Sequence, residues 1–537
     1  MGQYGQEHVS TAEELMQELR IKATEHLIRE EWQDSIQVYS RFIKLCQEQI
    51  SNTHQQDQIT KLQKSLCLAL SNRAECLFRQ RDLSLGLRDC DQALEIDSAH
   101  VKSLVCKGKI LLSFNRYSMA LDCFKAALLD PQENANLETL NGYLDKCKKL
   151  EFQSKTGYFD LSDWVLSGFR GKPPEMAEYI GPVQIKRSEL SGRGLFAIKN
   201  IDAGTVMLVT KAIATERGIV SAGGPSENAQ MVMWKNFVDK VVESAIKCKR
   251  IHQLISTLSA GEDGDNLEVP EISLFRPEAE LGCQSNEKPD MVKILSILDV
   301  NSLVEDSVSA KVFGKNSDYY GIGLWVLASF INHSCKPNAR RLHVGDHVVV
   351  HASRDIKAGE EITFAYFDVF CPLEKRKEMS LTWGFQCACK RCKFEEEVCS
   401  KQDMKEIEML LERGIDAGSV VFRLEERMRR WTVRGNERGY LRASFWNAYG
   451  EAYGSEKLIR KWRGRIPATD VVVDSVVDVN GSDDRLLRLL REELSRGGGN
   501  VVDMEKTMKL SRGIYGKVVK KQAMRSLLEL GSQEQML

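Results

Sequence analysis

Three cysteines at Cys387-x-Cys389-x-x-Cys392 lie close enough along the chain to hold one metal ion, and thiolates at short spacing are ligands zinc takes readily. A closed structural zinc site wants four ligands, so a further one must come from elsewhere in the sequence. A second group is Asn332-His333-Ser334-Cys335-Lys336-Pro337-Asn338, directly after Leu324–Ile331, a run apolar enough to be buried. An Asn and a His bordering a buried segment must find hydrogen-bond partners, because unpaired burial costs about 1–3 kcal/mol. Tyr366 stands in a strand-like run, Glu361–Phe367, that starts after the turn Lys357-Ala358-Gly359. A tyrosine there is by default a core aromatic with a wet hydroxyl. The fourth group is Ser191-Gly192-Arg193-Gly194-Leu195-Phe196-Ala197. Gly192 and Gly194 carry no Cβ and let backbone approach a ligand closely.

Residues 180–370 must position these groups. Val183–Lys186 and Val206–Lys211 alternate and β-branch as short strands do. Residues 217–310 read as an insertion, helical at Asn228–Leu258 and rich in Gly, Asp and Pro from Gly261 to Pro289. Ahead of this region, residues 12–150 place apolar side chains three and four apart throughout, which predicts helices. They repeat at the 34-residue spacing of tetratricopeptide units: Ala74 recurs as Gly108, Gly86 as Ala120 and Cys90 as Phe124. An earlier unit runs from Ala23 through Leu45, with Ser35 and Tyr39 at the crossing positions and a lengthened second helix. Asp130-Pro131 ends the last repeat, and a capping helix is expected near Leu137–Leu150. The linker Gly171-Lys172-Pro173-Pro174 is expected to separate this array from the next domain. Residues 371–400 hold the cysteine cluster. Residues 401–537 are helical by pattern, broken at Gly435–Gly439, Gly464–Asp474 and Arg496–Asn500.

At 537 residues the chain is long enough for about three domains. Its 75 basic and 76 acidic residues leave a net charge of −1, so no bulk field draws it onto nucleic acid or anionic membrane. Arg423–Arg438 with Trp431 and Lys457–Arg465 with Trp462 are basic, but such stretches read first as solvated helix faces, and direct nucleic-acid binding is not expected. No run of about 18 apolar residues suggests a membrane span. The stretch from Met1 to His8 has neither the build of a signal peptide nor a myristoylation pattern. Fifteen cysteines, an odd number and mostly scattered, favour reduced thiols, hence nucleus and/or cytoplasm.

Gly321-x-Gly323-Leu324-Trp325, the Asn332-His333-Ser334-Cys335 run, Gly359-Glu360-Glu361-Ile362-Thr363-Phe364-Ala365-Tyr366 and Phe385-Gln386-Cys387-Ala388-Cys389-Lys390-Arg391-Cys392 follow one another in that order. Together they resemble the SET-domain protein lysine methyltransferases with a post-SET zinc knot, and within them the SMYD-like class, over roughly residues 180–395. The resemblance implies a multidomain chain: a tetratricopeptide-like α-helical array, an α+β SET-like β-fold with a post-SET zinc site, then a helical C-terminal domain. It implies S-adenosyl-L-methionine as cofactor, touched by Gly192, Arg193, Gly194, Ser329, Ile331, Asn332, His333, Tyr366 and Phe385. It makes Tyr366 the catalytic residue, whose hydroxyl orients nucleophile and cofactor. It gives Zn2+ the ligands Cys335, Cys387, Cys389 and Cys392, with Cys371 and Cys399 as competitors for the fourth place. Trp383 and Phe385 would wall the lysine channel and the cofactor, Trp383 standing where the family more often has Tyr. The MYND finger of the class is not expected, since the insertion offers only Cys248 and Cys283.

The implied substrate is a lysine side chain of a protein, with a histone tail as the first guess and non-histone proteins next. The repeats would dock a protein partner. Arg20, Asn72 and Lys102 match in type the clamp by which such arrays hold C-terminal carboxylates, but Thr24 and Cys106 stand where Asn and Arg belong. The alternative from another class is a non-catalytic adaptor that uses the SET-like core as a scaffold.

Overall fold

The computed structural model describes residues 12–129, 137–219, 227–261, 267–277, 290–305, 319–497 and 501–533. The opening residues 1–11, Asp130-Pro131, Cys283 and residues 498–500 lie outside the described residues. The chain divides into two compact units, one up to Lys155 and one from Thr156 onward.

The first unit is a helical, tetratricopeptide-like array. Its helices are α1 (Ala12–Ile28), α2 (Trp32–Asn52), α3 (Gln56–Arg79), α4 (Leu83–Ile96), α5 (Val101–Ser113), α6 (Tyr117–Ala127) and α7 (Leu137–Thr156). Successive helices form hairpins through one recurring turn. Glu30, Arg81 and Asn115 take left-handed backbone with φ of 59°, 65° and 59°. The N–H groups of Glu31, Asp82 and Arg116 then reach back to the carbonyls of His26, Leu77 and Leu111, each at 2.9 Å. This closure satisfies the last carbonyls of the first helix in each pair. The repeat positions pack as the close crossings demand: Ala74, Cys90, Ala120 and Phe124 are fully buried. A Cβ on Gly108 would come within 2.6 Å of the Phe124 ring, so the glycine there makes room for the next helix. The first repeat departs from the 34-residue period because α2 and α3 run to 21 and 24 residues.

The second unit begins with α8 (Ser162–Leu166), before the Gly171–Pro174 stretch that the sequence suggests as a linker. Leu161 donates its N–H to the Val518 carbonyl at 2.8 Å, and Lys520 donates its N–H to Ser162 Oγ at 2.9 Å. Phe159, Leu161 and Val165 share a core with the C-terminal helices, so residues 156–170 belong to this unit and not to an interdomain tether. Its strands are β1 (Tyr179–Ile180), β2 (Val183–Arg187), β3 (Arg193–Ala197), β4 (Val206–Lys211) and β5 (Thr215–Ile219). Then come α9 (Glu227–Lys247), α10 (Lys249–Ser256) and α11 (Met291–Asn301), followed by β6 (Leu303–Val304), β7 (Tyr319–Gly323), β8 (Asn332–His333), β9 (Ala339–Val344), β10 (His347–Ala352) and β11 (Glu361–Phe364). They form sheets ordered β1-β4-β10-β9, β2-β3-β11-β8 and β5-β7-β6.

Beyond the strands lie α12 (Leu373–Thr382) and α13 (Lys390–Val398), then α14 (Lys401–Glu412), α15 (Ala417–Arg430), α16 (Glu437–Ser444), α17 (Trp446–Gly454) and α18 (Glu456–Trp462). The last four helices are α19 (Thr469–Asn480), α20 (Asp484–Gly497), α21 (Val501–Tyr515) and α22 (Lys521–Gln533).

The sheet β1-β4-β10-β9 is covered on both faces, which the period-two alternation of β10 shows directly. Val349 joins the core made with the C-terminal helices, while Val348 and Val350 join the core made with α9 and α11. The break expected at Gly464–Asp474 ends earlier than the sequence suggests, since α19 starts at Thr469. Its β-branched run is a weak helix former, but burial of Val472, Val473, Val476 and Val479 outweighs that preference.

Candidate active site

The site is built where two segments cross. β8 pairs in parallel with β11, setting Asn332 against Thr363 and His333 against Phe364. Asn338 clamps this crossing: its Oδ1 accepts from the Thr363 N–H at 2.9 Å, and its Nδ2 donates to the Glu361 carbonyl at 2.8 Å and to Glu360 Oε1 at 3.1 Å. Asn332 Nδ2 faces the carbonyls of Ser191 and Arg193 at 3.1 and 3.2 Å and Glu361 Oε1 at 2.8 Å. One side chain thereby holds the 191–194 loop against the crossing. Glu361 also accepts from Ser188 Oγ at 2.8 Å, and burial pushes its carboxyl pKa upward. Gly194 is needed here for a reason other than ligand approach, because a Cβ would lie 2.2 Å from Glu361 Oε1. Gly192 carries the positive φ of the turn, 47°. The Arg193 side chain turns into the insertion, donating from Nη1 to the Glu268 carbonyl at 2.9 Å and lying over the Phe330 ring.

His333 joins this crossing to the cysteines. Its Nδ1 accepts the Tyr366 N–H at 3.0 Å, so the ring proton sits on Nε2 and is directed at Cys335 Sγ, 3.4 Å away. Phe367 stacks on the imidazole at 4.3 Å, and Phe385 lies 5.4 Å from it. The Tyr366 hydroxyl donates to the Ile331 carbonyl at 3.0 Å. Burial pushes its pKa up to about 12, with Arg341 pulling it down and Glu361 pushing it up. At neutral pH the phenol keeps its proton, so it stands as a hydrogen-bond donor. Ser329 sits one turn before, its Oγ donating to the carbonyls of Asn301 and Trp325, each at 3.1 Å.

Beside Tyr366 opens a pocket of about 80 Å³ walled by Val300, Leu303, Val304, Ile331 and Trp383. Roughly half the size of a cavity that holds benzene, it suits a slender chain. The Trp383 ring lies 5.4 Å from that of Tyr366 and stays half-exposed at the mouth. Gly321 and Gly323 shape this side of the fold, since Cβ atoms there would strike Glu305 at 2.4 Å and the Trp325 ring at 2.6 Å.

Cys335, Cys387, Cys389 and Cys392 come together with all four sulfurs within 4.8 Å of one another. The Cys335 and Cys387 sulfurs are 3.8 Å apart, the edge of a tetrahedron whose centre-to-sulfur distance is the ~2.3 Å of a zinc–thiolate bond. The other three thiols hold the Cys335 thiol well below its usual range, while Cys387 and Cys392 are pushed up. A divalent cation replaces the protons that four crowded thiols cannot all lose, so the donor set fits a metal. Cys371 and Cys399 stand outside the cluster, and burial raises the thiol pKa of each.

Behind the sulfurs lies a group of charges that the sequence does not single out. Arg376 donates from Nη1 to Cys392 Sγ at 3.2 Å and from Nη2 to Glu395 Oε2 at 2.6 Å. Arg391 donates to Glu395 Oε1 at 2.9 Å, to the Cys335 carbonyl at 2.9 Å and to Ser444 Oγ at 2.7 Å. The three charged side chains are fully buried. The only sequence signal for them is charge inside α12 and α13 beside the cysteines; the partners are long-range, as Ser444 of α16 shows.

A family profile described as "SET domain" matches residues 192–367. The chain carries a SET domain. Its relatives are methyltransferases of the SET and SMYD type. A protein of Gibberella zeae described as "Methyltransferase" is 24% identical over 349 residues, 60% of this chain and 46% of that protein. "Histone-lysine N-methyltransferase SMYD3" of Mus musculus is 39% identical over 77 residues, 14% of this chain and 18% of its own length. "Potential protein lysine methyltransferase SET6" of Saccharomyces cerevisiae is 39% identical over 80 residues, 14% of this chain and 21% of its own length. The chain thus spans less than half the length of each of these relatives. The SET domain brings together Gly192, Gly194, Asn332, His333 and Tyr366, and Phe385 closes on His333 from just beyond it. Ser329 and Ile331 line the pocket that Tyr366 also lines. Arg193 contributes its backbone to the crossing, while its guanidinium is committed elsewhere.

Proposed function

We propose that this protein is an S-adenosyl-L-methionine-dependent protein-lysine N-methyltransferase. The observation that carries the reading is the half-buried Tyr366, its hydroxyl fixed on the Ile331 carbonyl in the wall of a narrow, mostly apolar pocket beside the Asn332–His333 crossing. When bound, S-adenosyl-L-methionine supplies an electrophilic methyl group on its sulfonium. The 191–194 backbone, Asn332, His333 and Phe385 are the groups that would hold it. The pocket walls Val300, Leu303, Val304 and Ile331 strip water from an entering lysine chain, which favours the neutral amine over the ammonium. Tyr366, protonated, orients that amine together with the Ile331 carbonyl. Positioning of this kind, with no strong base, suits a transfer whose electrophile is already activated.

We further infer that the four cysteines bind zinc. The metal would tie the segment carrying Phe385 to Cys335 and, through the Nε2–H of His333, to the crossing itself. The substrate is a protein lysine, on a histone tail or on another protein, and the repeats dock a partner or substrate protein. The test is Tyr366→Phe, which keeps the ring and removes the donor. Turnover should fall about 10²–10³-fold, while S-adenosyl-L-methionine affinity stays within a few-fold by calorimetry. Wild-type turnover in the mutant would make Tyr366 a core aromatic and overturn the mechanism.

A further inference from the structure

Strand β9 carries two adjacent arginines whose side chains leave on opposite sides, as alternation in a strand requires. Arg340 turns to the C-terminal helices, donating to the Ser482 carbonyl at 2.6 Å and pairing with Asp483 and Asp484 at 3.3 and 3.1 Å. Arg341 turns to the site. Its guanidinium lies 4.8 Å from the centre of the Phe364 ring, a cation–π contact that holds the flexible side chain in place. There it lines the same pocket as Tyr366 and Trp383, and among the described residues it is the only charged side chain that does. It is half-buried, so solvent screens its charge only in part.

We propose that Arg341 sets substrate choice: it favours a target lysine with an acidic residue close beside it in sequence and disfavours one flanked by lysine or arginine. The inference rests on the reading that the Tyr366 pocket receives a lysine side chain. With the amine seated by Tyr366, the residues next to that lysine lie at the opening of the pocket that Arg341 lines. A carboxylate there gains a planar, two-pronged donor. A second cation meets like charge on a partly desolvated surface, which works against the wrong substrate as much as the carboxylate works for the right one. Tails in which basic residues crowd the target lysine are thereby the poorer substrates, and acidic-flanked lysines of other proteins the better ones.

The experiment uses the full-length protein, isotope-labelled S-adenosyl-L-methionine and peptide pools centred on a single lysine. In one pool the two residues on either side are Asp or Glu, in a second Arg, in a third Ala or Gly. At low salt the wild type should label the acidic pool about tenfold faster than the basic pool, and added salt should shrink the ratio. Arg341→Gln should level the pools and Arg341→Glu should invert them, whereas a purely structural role would lower all three alike. Equal labelling of acidic and basic pools by the wild type, or a ratio unchanged in Arg341→Glu, would overturn the proposal. Label in no pool at all would instead overturn the lysine-transfer reading on which it rests.

Discussion

Glu395 is the hub of the buried charge group behind the cysteines, and its replacement by Gln is the most informative test of how that region is held. Its carboxylate accepts from Arg376, from Arg391 and from Ser444 Oγ, the last at 2.9 and 3.0 Å, with no solvent access on any of the charged partners. Glutamine keeps the shape but removes the charge, and it turns an NH2 donor toward groups that are themselves donors. Two dry guanidinium groups then keep the Cys392 sulfur and neutral acceptors such as the Cys371 and Cys335 carbonyls, but no carboxylate. Breaking one side of a buried ion pair costs about 3–5 kcal/mol. Spread over a unit of roughly 380 residues, with about 2.1 cal/mol/K of unfolding entropy per residue, that lowers Tm by about 4–6 °C. The assay is a thermal melt of the full chain, following the transition of the unit that holds the SET domain, with metal release to a chelator measured in parallel. Glu456→Gln removes the exposed Arg460 pair at 3.2 Å and, as a control, should shift stability by less than about 1 kcal/mol. A Glu395→Gln melt within a degree of wild type, with unchanged metal release, would refute the claim that this group holds the cysteine segment to the C-terminal helices.

Three further outcomes are expected. The purified protein should carry about one zinc per chain by the count of thiolates, and Cys335→Ser should lower zinc content and weaken S-adenosyl-L-methionine binding together; full occupancy in that mutant by elemental analysis would remove Cys335 from the ligand set. Burial, with Lys211 nearby, holds the His347 imidazole down at about 4. Its folded pKa lies below the unfolded value near ~6.5, so its contribution is fully present above that value and is lost as pH falls from about 6.5 to 4. Discounted for partial exposure, the loss is about 2 kcal/mol; urea titrations at pH 7 and pH 4.5 should show it, and His347→Gln should lose about that much of the difference. Turnover of Tyr366→Phe should fall at every pH from 6 to 9, because a phenol with a pKa near 12 does not change charge there; a mutant defect confined to one limb of the profile would instead assign the hydroxyl an acid–base role.

What could be read in the sequence were the groups whose chemistry is local. Cys387, Cys389 and Cys392 announce a candidate metal site by spacing alone, and the repeat period of 34 residues fixes α3 through α6 because each repeat packs mainly on its neighbours. The Asn332–His333 pair could be read as needing partners, but the partners could not: Ser191 and Arg193 lie some 140 residues away and reach it only through the sheet. Gly194 illustrates the limit well. Its lack of a Cβ suggested an approaching ligand, yet what approaches is the Glu361 carboxylate. Residues 156–170 were separated from the SET domain by a Gly-Lys-Pro-Pro stretch that looks like a linker, and only their contacts with Val518 and Lys520 reveal where they belong. The start of α19 was hidden by β-branched residues, of which Val472 and Val473 are buried through tertiary packing. Arg341 was invisible for the same reason, since nothing in its neighbours distinguishes it from Arg340.

The central claim is lysine methylation at the Tyr366 pocket, and one measurement bears on it most directly. The full-length protein is incubated with S-adenosyl-L-methionine carrying a labelled methyl group and a mixture of intact proteins, and modified residues are mapped by mass spectrometry. Label is expected on lysine ε-nitrogens and is lost when Tyr366→Phe replaces the wild type. Label on residues other than lysine, or none from a protein that binds the cofactor, would contradict it.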